Sequence, residues 1–215
     1  MSLLRDIQDA LASEACDVAV VLRKCKILAA RLGSDEFGAW VSDELDGYPD
    51  AKPVPEYRRL TIQHYASFVN VAWTVPQAAV PLQIVPEKYR ETFNMHEFRD
   101  GIAKASSFVV AHKSAMIQKP NLVFALQGKM YPDMNCQSAW GVIAVVEFEQ
   151  LVSGVNNRML DFSLKIEAEN PAAGEAPPGS RPVAPERVHT LVQTVIYGNV
   201  GNVSQNSHGF TQSSK

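Results

Sequence analysis

The sequence predicts an α+β fold: an N-terminal three-helix unit, a small mixed or antiparallel sheet, a long C-terminal helix, then a linker and a β-like tail. Three observations carry this. Apolar residues recur at helical spacing over the first fifty positions. The period switches to two near Leu60. A second helical stripe then runs unbroken from Val145 to Pro171. The 215 residues are 46 % hydrophobic and 20 % charged, which suits a packed core and excludes global disorder.

In "SLLRDIQDALAS", Leu3, Ile7, Ala10 and Leu11 share a face, and Ser13 breaks the run and can cap the second helix. Val18, Val21, Cys25, Leu28 and Leu32 form the stripe of that second helix. Gly33 is placed to stop it in the left-handed conformation, and Ser34 to cap the third. Asp35 and Glu36 favour a helix N-terminus, Phe37, Trp40, Val41 and Leu45 give the third helix its apolar face, and Gly47 ends it. After a Pro-rich turn, Leu60, Ile62, His64, Ala66 and Phe68 alternate with polar residues, the signature of a half-buried strand. "FVNVAWTV" continues it or pairs back through a bulge. "AAVPLQIVP" reads as an edge strand or loop because of Pro81. A helix is expected from about Glu97 to Ala111, weakened by Gly101, and "NLVFAL" reads as a short strand.

The long stripe uses Phe148, Val152, Val155, Met159, Phe162 and Ile166, about 24 residues and ~36 Å of helix. Five of the 13 prolines fall between Pro171 and Pro185, marking an extended linker with little to bury. "RVHTLVQTVIYGNVGNV" is then β-prone. The expected domains are therefore 1–170 as the α+β body, 171–187 as the linker and 188–215 as an Asn/Gly-rich tail.

The net charge of −3 argues against a nucleic-acid surface. Three cysteines, Cys16, Cys25 and Cys136, without a Cys-x-x-Cys, fit reduced structural thiols. Acidic residues interrupt the N-terminus where a secretory signal would be apolar, and no apolar run reaches the ~20 residues of a membrane span. The expected compartment is the cytoplasm.

No residue set identifies a reaction. His96 and Asp100 would share a helix face, but two ligands with Glu97 between them are too few for a metal. His64 reads as a hydrogen-bonded core histidine, Cys25 as a small core residue, and Asp43, Glu44 and Asp46 as surface acids before a turn. No phosphate loop or nucleophile elbow occurs. Neither a metal nor another cofactor is expected. Arg158 can pair with Asp161 or anchor the long helix onto the sheet.

The stretch "LLRKCKILAARLGSDEFGAWVSDELDGYPD", with "VPEYR" shortly after it, resembles the AbiTii-type domain of bacterial abortive-infection proteins. The matching positions include Leu22, Arg23, Lys24, Arg31, Gly33, Trp40, Glu44, Gly47, Tyr48, Tyr57 and Arg58. "GVNNRMLDFSLKIEAENP" resembles a later helix of the same family, with Asn156 standing where that pattern has Arg. The resemblance implies defence against bacteriophage by arresting or killing the infected cell, and it carries over no catalytic site. Arg23, Lys24 and Arg31 recur in the pattern without a packing reason. With Arg158 they are the candidate binding residues, the alternative being intramolecular pairing with Glu44 or Asp46.

The main functional expectation is a self-assembling interaction or signalling module. Its tail, through Ile196, Tyr197, Asn199, Val200, Asn202 and Val203, would organise a homo-oligomer by stacking identical segments. The alternatives are a toxic effector enzyme acting on nucleic acid or nucleotides, and a sensor binding a phage component. A phage or host protein is the expected trigger.

Overall fold

The computed structural model describes residues 2–198. The described residues divide into two compact units: 2–45 together with 155–198 form the first, and 46–154 form the second. The expected boundary after residue 170 does not separate these units. The chain returns to the first unit at Val155, inside a continuous helix.

The first unit is helical. It begins with α1 (Leu3–Ala12), α2 (Val18–Leu32) and α3 (Asp35–Asp46). The cap of α2 is Asp17, whose carboxylate accepts from the Ala19 and Val20 amides, rather than Ser13. Gly33 takes φ 63°, and its amide reaches the Ala29 and Ala30 carbonyls as expected of a left-handed stop. Ser34 Oγ accepts from the Phe37 amide at 3.2 Å and so caps α3. Leu4, Ile7, Leu22, Leu28, Trp40 and Phe162 are among the fully buried side chains of this unit. Phe37 stacks on Trp40 and on Phe162, with ring centroids 5.8 and 4.1 Å apart. Cys25 lies in this core, and burial pushes its thiol up to about 12.

The second unit is built on a four-stranded antiparallel sheet and a two-stranded ribbon. The ribbon pairs β1 (Arg59–Thr61) with a later strand. The sheet contains β2 (Gln63–Val69) and β3 (Thr74–Ala79), a pair with a register shift between Ala66 and Phe68. Next come α4 (Arg90–Phe93), β4 (Met95–Glu97), α5 (Ile102–Val110), β5 (Ala115–Gln118) and α6 (Pro120–Leu126). β6 (Asn135–Ile143) completes the sheet in the order β3-β2-β6-β5, and β1 pairs with β4. The alternation in β2 is borne out: His64, Ala66 and Phe68 are all buried on one face. Arg58 is also fully buried in this unit. Its guanidinium donates to the Phe98 and Asp100 carbonyls and lies 4.7 Å from the Tyr48 ring.

Two readings are corrected here. "NLVFAL" is α6, a helix opened by Pro120 at its first turn, where proline costs no hydrogen bond. His96 lies in β4 and not on a helix, because the helix starts only at Ile102, after Gly101.

The long helix is α7 (Val145–Glu169), close to its expected extent. Beyond it, residues expected to be extended are folded. Ala173 and Val183 are buried. Residues 188–196, read as β-prone, fall in α8 (Pro185–Leu191) and a π-helical turn at Val192–Ile196. Val188, Leu191, Val192 and Ile196 are buried, at a spacing of three, one and four that suits a helix face. Contacts that tie this segment to the other helices of its unit include Glu36 with His189 Nδ1 at 2.8 Å, and Arg187 with Glu169 at 2.6 Å.

Candidate functional site

The four candidate cations all lie in the helical unit, and the structure joins three of them to backbone. Lys24 Nζ donates to the Asp6 carbonyl at 2.9 Å, tying α2 to α1. Arg31 donates to the Gly174 carbonyl. Arg158 Nε donates to the Ile196 carbonyl at 3.0 Å, so it holds the last described turn rather than the sheet. Arg23 is exposed on α2. Glu44, expected at the surface, is fully buried and engaged. Ile196 is buried and Tyr197 half-buried; Asn199, Val200, Asn202 and Val203 lie outside the described residues.

The second unit holds a pocket of about 580 Å³ that sequence reasoning missed. Its floor is the sheet at His64. One wall is the segment from Ile84 to Met95, including Tyr89 and Phe93. The other runs from Gln118 through α6 to Lys129. The pocket adjoins an apolar cluster of Ala66, Phe68, Val80, Leu126 and Ala139, so it opens directly off packed core. A pocket of this size, mainly apolar with a few polar groups, is the usual setting for a small ligand.

His64 is the chemically distinctive group in it. It is only 3 % exposed, yet its Nδ1 has no hydrogen-bond partner in the protein. Its ring packs on Phe93 with centroids 4.1 Å apart. Burial, and secondarily the charge of Lys119, lowers its pKa to about 4, so the imidazole is neutral at pH 7. A neutral ring offers one donor and one acceptor. Gly141 faces His64 across the sheet, where an added Cβ would run into Ile62 Cδ1 and lie 3.4 Å from His64 Nε2. The missing side chain thus makes room for both neighbours. Thr92 Oγ1 already donates to the Tyr89 carbonyl at 3.1 Å.

Two lysines, Lys119 and Lys129, line the pocket. Lys119 follows β5, its amide extending the ladder to the Ala139 carbonyl at 2.8 Å, and Lys129 follows α6. The amides of Gln118 and Asn121 line the same wall. His96, half-buried on β4, also has its pKa lowered, by burial first and then by Lys119. Among the described residues, no group of three His, Cys, Asp or Glu side chains is placed to hold a metal, and no helix is long and apolar enough to cross a membrane.

The fold and the site together define an α+β protein with a helical unit, a sheet unit and a ligand-sized pocket in the latter. The AbiTii family model matches residues 2–190, nearly all of the described chain, and the protein belongs to the AbiTii family. That membership makes it an abortive-infection protein of antiviral defence in bacteria. No curated protein and no solved structure gives a significant match.

Proposed function

We propose that the protein acts in phage defence as a sensor whose sheet unit receives a small molecule in the His64 pocket. The observation that carries this reading is a ligand-sized pocket lined by the buried His64, whose Nδ1 has no hydrogen-bond partner in the protein. An unsatisfied buried polar atom costs about 1–3 kcal/mol, and a turn of the imidazole that gives it a ligand partner recovers that cost on binding. The pocket can be blocked from its rim. Ala125 is an exposed lining residue of α6, and Ala125→Trp places a large side chain in the cavity without touching the core. Cells carrying this variant, at matched abundance and melting temperature, are expected to lose plaque reduction by at least tenfold. Undiminished protection would sink the sensor reading.

A second reading, self-assembly, is favoured by the sheet edges. β3 and β5 are both terminal strands, with Trp73 exposed just before β3 and Met116 exposed on β5. Open edges that carry apolar residues can pair with another chain. The tail contribution is tested by truncation after Gly198, since earlier cuts remove the buried residues of α8 and its following turn. Self-assembly through the tail predicts a smaller species by size exclusion after truncation; an unchanged elution position contradicts it.

A further inference from the structure

The groups lining the pocket specify a ligand class, an inference that rests on the pocket being the ligand site. We propose that it takes a nucleobase-bearing phosphate, with the base inward against His64 and the phosphate at Lys119 and Lys129. Three features select this chemistry over others of similar size.

First, the pocket is lined by His64, whose buried Nδ1 has no protein partner. An alkyl chain would fill the apolar space but could give that nitrogen no partner, whereas a heterocycle that turns the imidazole toward it offers a ring nitrogen or exocyclic group. Second, Tyr89 and Phe93 give the wall beside His64 two aromatic rings. Aromatic faces stack on any base, and such stacking is worth roughly 1–3 kcal/mol per base. The amides of Gln118 and Asn121 on the opposite wall can bond a base edge. Third, two lysines, Lys119 and Lys129, line the pocket. Charge-assisted bonds to an anionic oxygen are the strong ones, and lysine binds phosphate as a point charge. A plain sugar or a short polar peptide would leave the apolar walls without partners, and a bare inorganic anion would leave most of the pocket unfilled.

The test is calorimetric titration of the full chain with AMP, GMP, CMP and UMP, the matching nucleosides, ribose 5-phosphate, inorganic phosphate and laurate. The expected result is that at least one nucleotide binds with a Kd below 1 mM. Its nucleoside should bind at least fivefold more weakly, and ribose 5-phosphate and phosphate should not bind. His64→Phe keeps a ring against Phe93 while removing both nitrogens, and should weaken the nucleotide at least tenfold. Lys119→Ala with Lys129→Ala should abolish the difference between nucleotide and nucleoside. A 5′-phosphorylated dinucleotide separates two sources of the same chemistry: tighter binding assigns a strand end, equal or weaker binding a free nucleotide.

Laurate binding without any nucleotide overturns the ligand class while leaving the pocket as a binding site. Nucleotide binding that survives both the His64→Phe and Ala125→Trp changes, each shown folded by circular dichroism, places the ligand elsewhere and overturns the proposal. If no nucleotide binds, the proposal also fails. The sensor reading is then judged separately by protection in cells carrying Ala125→Trp.

Discussion

At the residue scale, His64 links stability to pH. Its pKa falls from 6.5 in the unfolded chain to about 4 in the folded one, through burial first and Lys119 second. Above pH 6.5 both states are neutral and the full contribution is present. As the pH drops toward 4, the unfolded chain takes up a proton that the folded chain refuses, so stability falls, by up to roughly 3 kcal/mol. His96, with a lowered pKa of its own, adds a change of the same sign. Replacing His64 with Phe should therefore make the melting temperature less dependent on pH between 6.5 and 4 than in wild type. Parallel profiles for the two proteins would contradict this. The sequence did show that His64 sits on the buried face of a strand, since it alternates with Ile62 and Ala66. It could not show that the imidazole lacks a partner, because that depends on α4 and α6 arriving from roughly thirty and sixty residues away.

At the element scale, helices with strong local signals were legible. The stripes of α2 and α7, the Gly33 stop and the Ser34 cap all depend on contacts within a few residues, and the structure places them as the sequence predicts. Segments misread were those in which tertiary burial overrides propensity. Val188, Val192 and Ile196 are β-prone by type, yet with Leu191 they are buried as one face of a helical segment. "NLVFAL" fails for a related reason. Its apolar run fits a strand or a helix, and Pro120 at the first turn was the available cue. The misassigned cap can be measured directly. Asp17 accepts from two amides at the start of α2, so Asp17→Ala should cost about 1 kcal/mol in chemical denaturation. Ser13 makes only one longer contact, to the Ala15 amide at 3.3 Å, and Ser13→Ala should cost less. Reversal of that order would contradict the capping assignment.

At the scale of the whole molecule, the family resemblance and the architecture were within reach of sequence, because they rest on long helical stripes and on motif residues such as Trp40 and Gly47. The binding site was not. The cations stood out in the sequence, and Lys24, Arg31 and Arg158 prove to bond backbone carbonyls within the helical unit. The pocket is assembled instead from β2, the segment around α4, and α6, none of which carries a motif. The most direct test is to identify small molecules released on denaturing the full-length protein purified from cells before and after phage infection. The predicted result is a small molecule that is enriched with wild-type protein after infection and absent with Ala125→Trp. Identical small-molecule profiles for the two proteins, before and after infection, would contradict the sensor reading.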